Sequence, residues 1–296
     1  MQLDLTGVET EASTSRPRSG QLLKWIGNKQ RFAKEITKYF PKQFGIYFEP
    51  FLGSGAVLAA VSPRIGVAAD TFLPLVEIWT TLKERPNQLK NWYSERYSKM
   101  HGASSKKEGY EEIKANYNLC PNAADLLFLC RACYGGVVRF RKKDGYMSTP
   151  CGIHTPISPE SFSARVDSWS EKVRGTEFFH SDYRDTIGRA KAGDLVYCDP
   201  PYTHSQAILY GAQEFSLPTL FQEIERAKKR GVYVALSIDG TKKSGETQCN
   251  LPIPENLFET HISIDCGRSM LRRFQMEGQT LESERVSDRL LLTYKD

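Results

Sequence analysis

The stretch Asp194-Leu195-Val196-Tyr197-Cys198-Asp199-Pro200-Pro201-Tyr202 decides how the rest of the chain is read. It begins as a short apolar run, the pattern of a strand buried on both faces of a parallel sheet. Two consecutive prolines then stop it, because proline has no N–H to give to a ladder. Asp199 is therefore left at the carboxyl end of a strand, where open α/β sheets form their ligand crevices. The turn presents backbone carbonyls, that of Pro200 among them, beside a carboxylate that only accepts, and Tyr202 adds an aromatic face. Acceptors and a ring suit a planar substrate with an exocyclic NH2, whose two hydrogens are bound while its ring stacks. A strand that merely ends in a turn is the plainer alternative, since Asp-Pro and Pro-Pro are ordinary punctuation.

Upstream, Ile46-Tyr47-Phe48-Glu49-Pro50-Phe51-Leu52-Gly53-Ser54-Gly55-Ala56-Val57-Leu58 runs from an apolar strand through a Gly-x-Gly turn into a helix. Glycines at Gly53 and Gly55 admit positive φ and let backbone approach a ligand. The dinucleotide fingerprint wants a third glycine where Leu58 stands, so the unit is not that motif. A second strand, Ile65 to Ala69, ends on Asp70, the place where a strand-end carboxylate holds a ribose diol. Together these point to a nucleoside cofactor. Nearer the N-terminus, Trp25 lies among Lys24, Gly27 and Lys29, an odd density of cations and glycine for a buried turn. Phe32, Ile36, Tyr39 and Phe40 then recur at helical spacing until Pro41.

From about Glu77 to Cys133 the pattern is helical, with Ala123–Cys133 the most apolar segment. The run from Tyr134 to Pro150 reads as a β-hairpin about Asp144-Gly145, with Arg139 and Arg141 on one face and Lys142 and Lys143 at the turn. A basic hairpin with Gly135-Gly136 at its base suits a nucleic-acid groove; a solvated hairpin is the plainer reading. A helix over Ser161–Val173, a strand over Thr176–His180 ending near Asp182, a helix over Leu217–Lys229 and a strand over Gly231–Ile238 surround the central stretch. Thr203–Phe215 is expected to be a mobile loop over the site, and Thr241–Asn250 a polar loop. Glu259–Ile264 and Asp288–Tyr294 close the sheet, with an arginine-rich loop between them.

At 296 residues the chain is long for one simple domain, and its 40% apolar content supplies a core. No apolar run approaches the roughly 18 residues that span a bilayer. The polar stretch from Glu9 to Gly20 lacks the apolar centre of a signal peptide, so no membrane association is expected. Seven scattered cysteines fit the reduced thiols of a cytoplasm better than a disulfide framework. Cys130-x-x-Cys133 has no second pair at zinc spacing; it reads as the core face of a helix, and no metal is expected. The net charge of +5 is mild, but Arg131, Arg139, Arg141, Lys142 and Lys143 fall close together, as do Arg268, Arg272 and Arg273. Such clusters suggest a polyanion on one face, against a plain solvated surface.

In this order, Lys24-Trp25-Ile26-Gly27-Asn28-Lys29, Glu49-Pro50-Phe51-Leu52-Gly53-Ser54-Gly55, Asp70 and Asp199-Pro200-Pro201-Tyr202 make the chain, from Leu22 to Tyr294, resemble the Dam-type (D12 class) DNA adenine-N6 methyltransferases. The resemblance implies a Rossmann-like α/β sheet that binds S-adenosyl-methionine. It places Trp25, Lys29, Phe51, Gly53, Gly55, Asp70 and Asp199 at the cofactor, with Asp182 on its adenine. It implies a catalytic domain over 21–76 and 155–296 and an inserted, mainly helical target-recognition domain over 77–154 that carries the hairpin, while residues 1–20, rich in Thr, Ser and Glu and without periodicity, read as a loose arm. The hairpin ends in Pro150-Cys151-Gly152, as the family's does, and Lys24 with the two basic clusters would meet double-stranded DNA. A cognate restriction endonuclease is a partner that such enzymes can have. The chain departs from the family at Asp70-Thr71-Phe72 for Asp-x-Asn, at Tyr134-Gly135-Gly136 for Phe-Asn-Gly, and at Arg141 for Asn. The last two lie where bases are read, so the family's common GATC target is not carried over.

The chemistry expected of the site follows from the amine. The N6 lone pair of adenine is delocalised into the ring, and Asp199 with the Pro200 carbonyl, as acceptors, would favour a pyramidal nitrogen. A base inside a duplex must first be flipped out, with Tyr202 stacking on it. Cytosine-N4 methylation, an RNA or protein amide N-methyltransferase, and a DNA-binding module without activity are the other readings of the same residues.

Overall fold

The computed structural model describes residues 20–25, 27–201, 215–242, 247–248, 252–268 and 285–295. The arm over residues 1–19, Tyr202 and the expected loop to residue 214, and Arg272 and Arg273 lie outside the described residues.

The core of the molecule is one sheet. Its strands are β1 (Tyr47–Glu49), β2 (Gly66–Asp70), β3 (Thr176–His180), β4 (Leu195–Cys198), β5 (Tyr233–Lys242), β6 (Thr247–Gln248), β7 (Thr260–Arg268) and β8 (Arg285–Leu292). They lie in the order β3-β2-β1-β4-β5-β8-β7, with β6 paired to the end of β5. The pairings from β3 across to β5 are parallel, and β8 runs antiparallel between β5 and β7. The chain builds outward from β1 to β3 and then returns to lay β4 on the other side of β1. The β1–β4 boundary is thus the point where strand order reverses.

Alternation along the central strands explains why both faces are covered. Leu195 and Tyr197 of β4, with Tyr47 of β1, point into one apolar cluster; Val196, Cys198 and Phe48 point into another. The first face is covered by α1 (Ala33–Thr37), α2 (Ala56–Val61), α3 (Leu73–Glu84) and α7 (Pro159–Val173). The second is covered by α8 (Tyr183–Gly188) and α9 (Leu217–Lys229), whose Leu220, Phe221, Ile224 and Ala227 recur at helical spacing. The helices α4 (Pro86–Gly102), α5 (Lys106–Leu119) and α6 (Ala123–Ala132) extend the first cluster without a break: Trp79 of α3, Leu126 of α6 and Tyr47 of the sheet belong to one buried group. Helix α6 is buried on every side, Cys130 included, and opens on Asn122, whose side chain accepts the N–H of Asp125.

Several expectations are corrected. The helix over Arg31–Phe40 is regular only across α1, with turns on either side. The polar loop after Thr241 contributes instead the end of β5 and the short β6, and α8 has no counterpart in the pattern reading. Arg131 leaves the basic cluster: it is buried, and its Nη1 donates to the carbonyls of Gln21 and Leu22, both at 2.8 Å. The hairpin exists, but as isolated antiparallel bridges, Cys133 with Cys151 and Phe140 with Met147, and not as two regular strands. Its loop spans Lys142 to Gly145, closed by the Arg141 N–H on the Tyr146 carbonyl at 2.9 Å, with Gly145 at φ 66°. Glycine is needed there because no Cβ tolerates that φ cheaply.

Candidate active site

Three strands of the central sheet end in a carboxylate or just before one: β1 at Glu49, β2 at Asp70 and β4 ahead of Asp199. The strands β1 and β4 are buried to their last residue and β2 as far as Ala69, and the acids at these strand ends face one shared space. That space is a cavity of about 650 Å³ at the β1–β4 switch point. Its floor and walls include Trp25, Lys29, Glu49, Phe51, Gly53, Asp70, Asp182 and Asp199. Tyr117 of α5, Pro121 and the hairpin's Phe140 and Gly145 complete it, so the helical layer forms its far side.

The polar end is a buried ion cluster. Lys29 Nζ lies 2.9 Å from Asp199 Oδ1 and 3.2 Å from Asp288 Oδ2 on β8. Burial alone would lower the lysine's pKa, but the two carboxylates outweigh it and raise it, so the ammonium stays charged. Beside it Glu49 is fully buried, and its carboxyl is pushed up to about 8, by burial first and by the Asp199 charge. The Tyr47 hydroxyl, which donates to Glu49 Oε2 at 2.6 Å, opposes that shift, as does a backbone bond from Leu58. Glu49 therefore holds a proton at neutral pH.

At the other end Asp70 accepts from the Gly53 N–H at 3.1 Å and the Phe72 N–H at 3.0 Å. Burial raises its pKa and these backbone bonds oppose the rise. Asp182 lines the cavity too, but also caps α8, accepting the Arg184 N–H at 2.8 Å and its Nε at 2.7 Å. The walls between are aromatic: Phe51 stacks on Tyr183 at 5.1 Å, and Phe215 meets Phe51 edge-on at 5.8 Å. Phe72, which stands where the resembled family has Asn, touches Trp25 at 6.2 Å and Phe140 of the hairpin at 5.5 Å.

Of the residues singled out in the sequence, Trp25, Lys29, Phe51, Gly53, Asp70, Asp182 and Asp199 converge on this cavity. Pro200 is buried between Asp199 and Pro201, which both line the cavity. Gly55 caps α2 at φ 59°, between Ser54 and Ala56 of the cavity wall, and a Cβ there would lie 2.8 Å from the Trp79 ring. Lys24 is exposed and packs across Gly136 at the hairpin base. Arg139, Lys142 and Lys143 are exposed on the hairpin; Arg141 folds back, with Nη2 2.9 Å from Asp144 Oδ2 and its guanidinium 4.1 Å over the Tyr146 ring. Arg268 ends β7, on the far edge of the sheet.

Sequence reasoning missed Glu49 and Asp288 as members of the site. Glu49 carried a signal, since Glu49-Pro50 repeats the strand–acid–proline pattern of Asp199-Pro200. Asp288 carried none: it opens an apolar run and meets Lys29 only through the sheet.

A mostly parallel sheet in which the antiparallel strand β8 separates β5 from β7, with a carboxyl-edge cavity lined by strand-end acids, defines the Rossmann-like methyltransferase class. Residues 25–250 match the family described as D12 class N6 adenine-specific DNA methyltransferase, and the chain belongs to that family, whose reaction is methylation of adenine N6 in DNA. It is 28% identical over 232 residues to a DNA adenine methylase of Vibrio cholerae, covering 73% of this chain and 79% of that one. A DNA adenine methylase of Salmonella typhimurium is 28% identical over 204 residues, 66% of this chain and 70% of its own. The Type II methyltransferase M1.LlaDCHI of Lactococcus lactis subsp. cremoris is 25% identical over 235 residues, 72% and 79% of the two chains. Among the described residues, no helix is long and apolar enough to cross a membrane.

Proposed function

We propose that the protein methylates the N6 amine of an adenine flipped out of duplex DNA, with S-adenosyl-methionine as donor and Asp199 as the residue that holds the amine. What carries the proposal is the position of Asp199: end of the central strand, edge of the switch-point cavity, Oδ1 anchored on a buried ammonium. The donor set fits that cofactor. Asp70, held by two backbone N–H groups, is a rigid acceptor for a ribose diol. The aromatic walls of Phe51, Tyr183 and Trp25 suit an adenine ring, and the acid cluster suits a cation. When bound, S-adenosyl-methionine supplies an electrophilic methyl on a cationic sulfonium.

Asp199 and the Pro200 carbonyl accept from the amine and draw its lone pair out of the ring plane; Asp199 or water then takes the proton released. The cavity walls fix donor and amine together, so orientation supplies most of the acceleration. No oxyanion develops, so no oxyanion hole is required. Tyr202 would stack on the flipped base. Residues 77–154 act as the target-recognition part: the hairpin's Arg139 and Arg141 address base edges, and Lys24, Lys142, Lys143 and the arginines at 268, 272 and 273 address phosphate or the neighbouring groove. A cognate restriction endonuclease is the partner that the Lactococcus relative's description suggests.

The test is transfer of radiolabelled methyl from S-adenosyl-methionine to duplex DNA, followed by nucleoside analysis. The wild-type protein should yield N6-methyladenine and Asp199→Ala none. N4-methylcytosine as the product would select the cytosine alternative.

A further inference from the structure

The hairpin that carries Arg139 and Arg141 has little ladder of its own to hold it. Its bridges are isolated, one at the base between Cys133 and Cys151 and one further out between Phe140 and Met147. A hairpin so sparsely bridged takes its angle from side-chain anchors. At the outer bridge both partners are anchored. Asn118, near the end of α5, grips Met147: its Oδ1 accepts the Met147 N–H at 2.6 Å and its Nδ2 donates to the carbonyl at 3.2 Å. The Phe140 ring packs against Tyr117 of the same helix, at 6.3 Å, and meets Phe72 edge-on at 5.5 Å.

These anchors come from two parts of the chain. Tyr117 and Asn118 belong to the helical layer, whereas Phe72 belongs to the turn that follows β2. The Phe72 backbone is fixed on both sides. Its N–H donates to Asp70 Oδ1 at 3.0 Å, and its carbonyl accepts from Leu75 and Val76 in the first turn of α3. The ring thus stands at a set place beside the strand-end acid of the cavity, 6.2 Å from Trp25. The hairpin base meets the sheet side separately, where Lys24 packs against Gly136. Phe140 lines the cavity, and Arg139 and Arg141 on either side of it are exposed, so a tilt of that ring tilts both arginines.

We propose that Phe72 is a positioning residue for sequence specificity: through Phe140 it sets the angle at which Arg139 and Arg141 meet the duplex, relative to the acids at the strand ends. This rests on the reading of the hairpin as the element that addresses base edges. An arginine fork distinguishes a base only when both of its bonds align, whereas a phosphate contact tolerates tilt. Loss of the Phe72 ring therefore costs discrimination between duplexes rather than contact with DNA as such.

The experiment measures methylation rates of the full-length protein at saturating S-adenosyl-methionine, on the duplex it modifies best and on single-base variants of that duplex. It compares wild type, Phe72→Ala, Phe72→Tyr, Arg139→Ala and the double variant of Phe72→Ala with Arg139→Ala. The readout is the ratio of the best rate to the variant rates, which a general loss of structure or of donor binding does not move. Phe72→Ala should lower that ratio about tenfold, within the range that one base pair carries. Phe72→Tyr keeps the ring and should hold the ratio within about twofold of wild type. The double variant should lose no more than Arg139→Ala does, because the two residues act through one contact. Should Phe72→Ala fail to fold, Phe72→Asn carries the same comparison. A lowered ratio in Arg139→Ala with an unchanged one in Phe72→Ala, or losses that add in the double variant, overturns the role of Phe72 and leaves the hairpin reading intact. An unchanged ratio in Arg139→Ala overturns the hairpin reading, and this inference with it, whatever Phe72→Ala does. A wild-type protein that methylates no duplex overturns the proposed reaction and this inference together.

Discussion

Glu49 offers a stability prediction whose size follows from its burial. Its carboxyl rises from an ordinary 4.5 to about 8, through burial first and the neighbouring Asp199 charge. A folded-state pKa above the unfolded value contributes stability that is fully present below pH 4.5 and is lost as pH rises through 8. The gap, at about 1.4 kcal/mol per pH unit, amounts to about 4–5 kcal/mol; this is a ceiling, because an ionised carboxylate draws water and its neighbours toward itself. Glu49→Gln keeps the shape and an acceptor for the Tyr47 hydroxyl, and it cannot ionise. Urea unfolding followed by tryptophan fluorescence should therefore find the two proteins within about 1 kcal/mol of each other near pH 5. The variant should gain on wild type as pH rises, by about 3 kcal/mol or more at pH 9. Parallel stability curves from pH 5 to 9 would show that Glu49 is ionised throughout, and that the protonated state assigned to it is wrong.

Asp70→Ala should weaken donor binding by about 1.5–3 kcal/mol, the size of a charge-assisted hydrogen bond, and calorimetry showing an unchanged affinity would remove the ribose role. Gly55→Ala should destabilise the fold by about 2–4 kcal/mol in denaturant titration, since it forces a left-handed φ of 59° on an L-residue and drives a methyl against Trp79. A neutral outcome there would mean that the Trp79 ring gives way. Arg139→Ala should relax discrimination at one base pair by about 1–3 kcal/mol, whereas alanine at Lys142 or Lys143 should weaken all duplexes alike and flatten the salt dependence. Relative methylation rates on single-base variants at two salt concentrations separate the two; a uniform loss from Arg139→Ala would make the hairpin a clamp.

What the sequence disclosed depended on how local the determinant was. The run ending at Asp199 showed its strand, its parallel setting and its terminal acid, because burial on both faces writes a continuous apolar run and proline writes a stop. The same holds for β3 and α9, whose bounds Thr176–His180 and Leu217–Lys229 fall where the pattern puts them. The role of Gly55 was only half legible. Its positive φ follows from the Gly-x-Gly turn, but the Trp79 ring that fills the space beside it comes from another helix. The hairpin's alternation put Arg139 and Arg141 on one face, and in the structure Phe140 between them lines the cavity while both arginines are exposed. Its loop was not legible, because Asp144-Gly145 closes a four-residue turn as readily as a two-residue one. Arg131 and Asp288 lie beyond local pattern altogether. One is an arginine whose partners are the carbonyls of Gln21 and Leu22, the other an aspartate whose Lys29 partner lies at the opposite end of the chain.

The central claim is that Asp199, at the end of β4, presents an adenine amine for methylation in DNA. Its most direct test is expression of the wild-type protein and of Asp199→Ala in a host lacking DNA methylation, with sequencing of the host genome for modified bases. The account predicts N6-methyladenine at one recurring sequence with the wild-type protein and an unmodified genome with the variant. An unmodified genome with a folded wild-type protein, modification confined to cytosine, or a variant that methylates as wild type does would each contradict it.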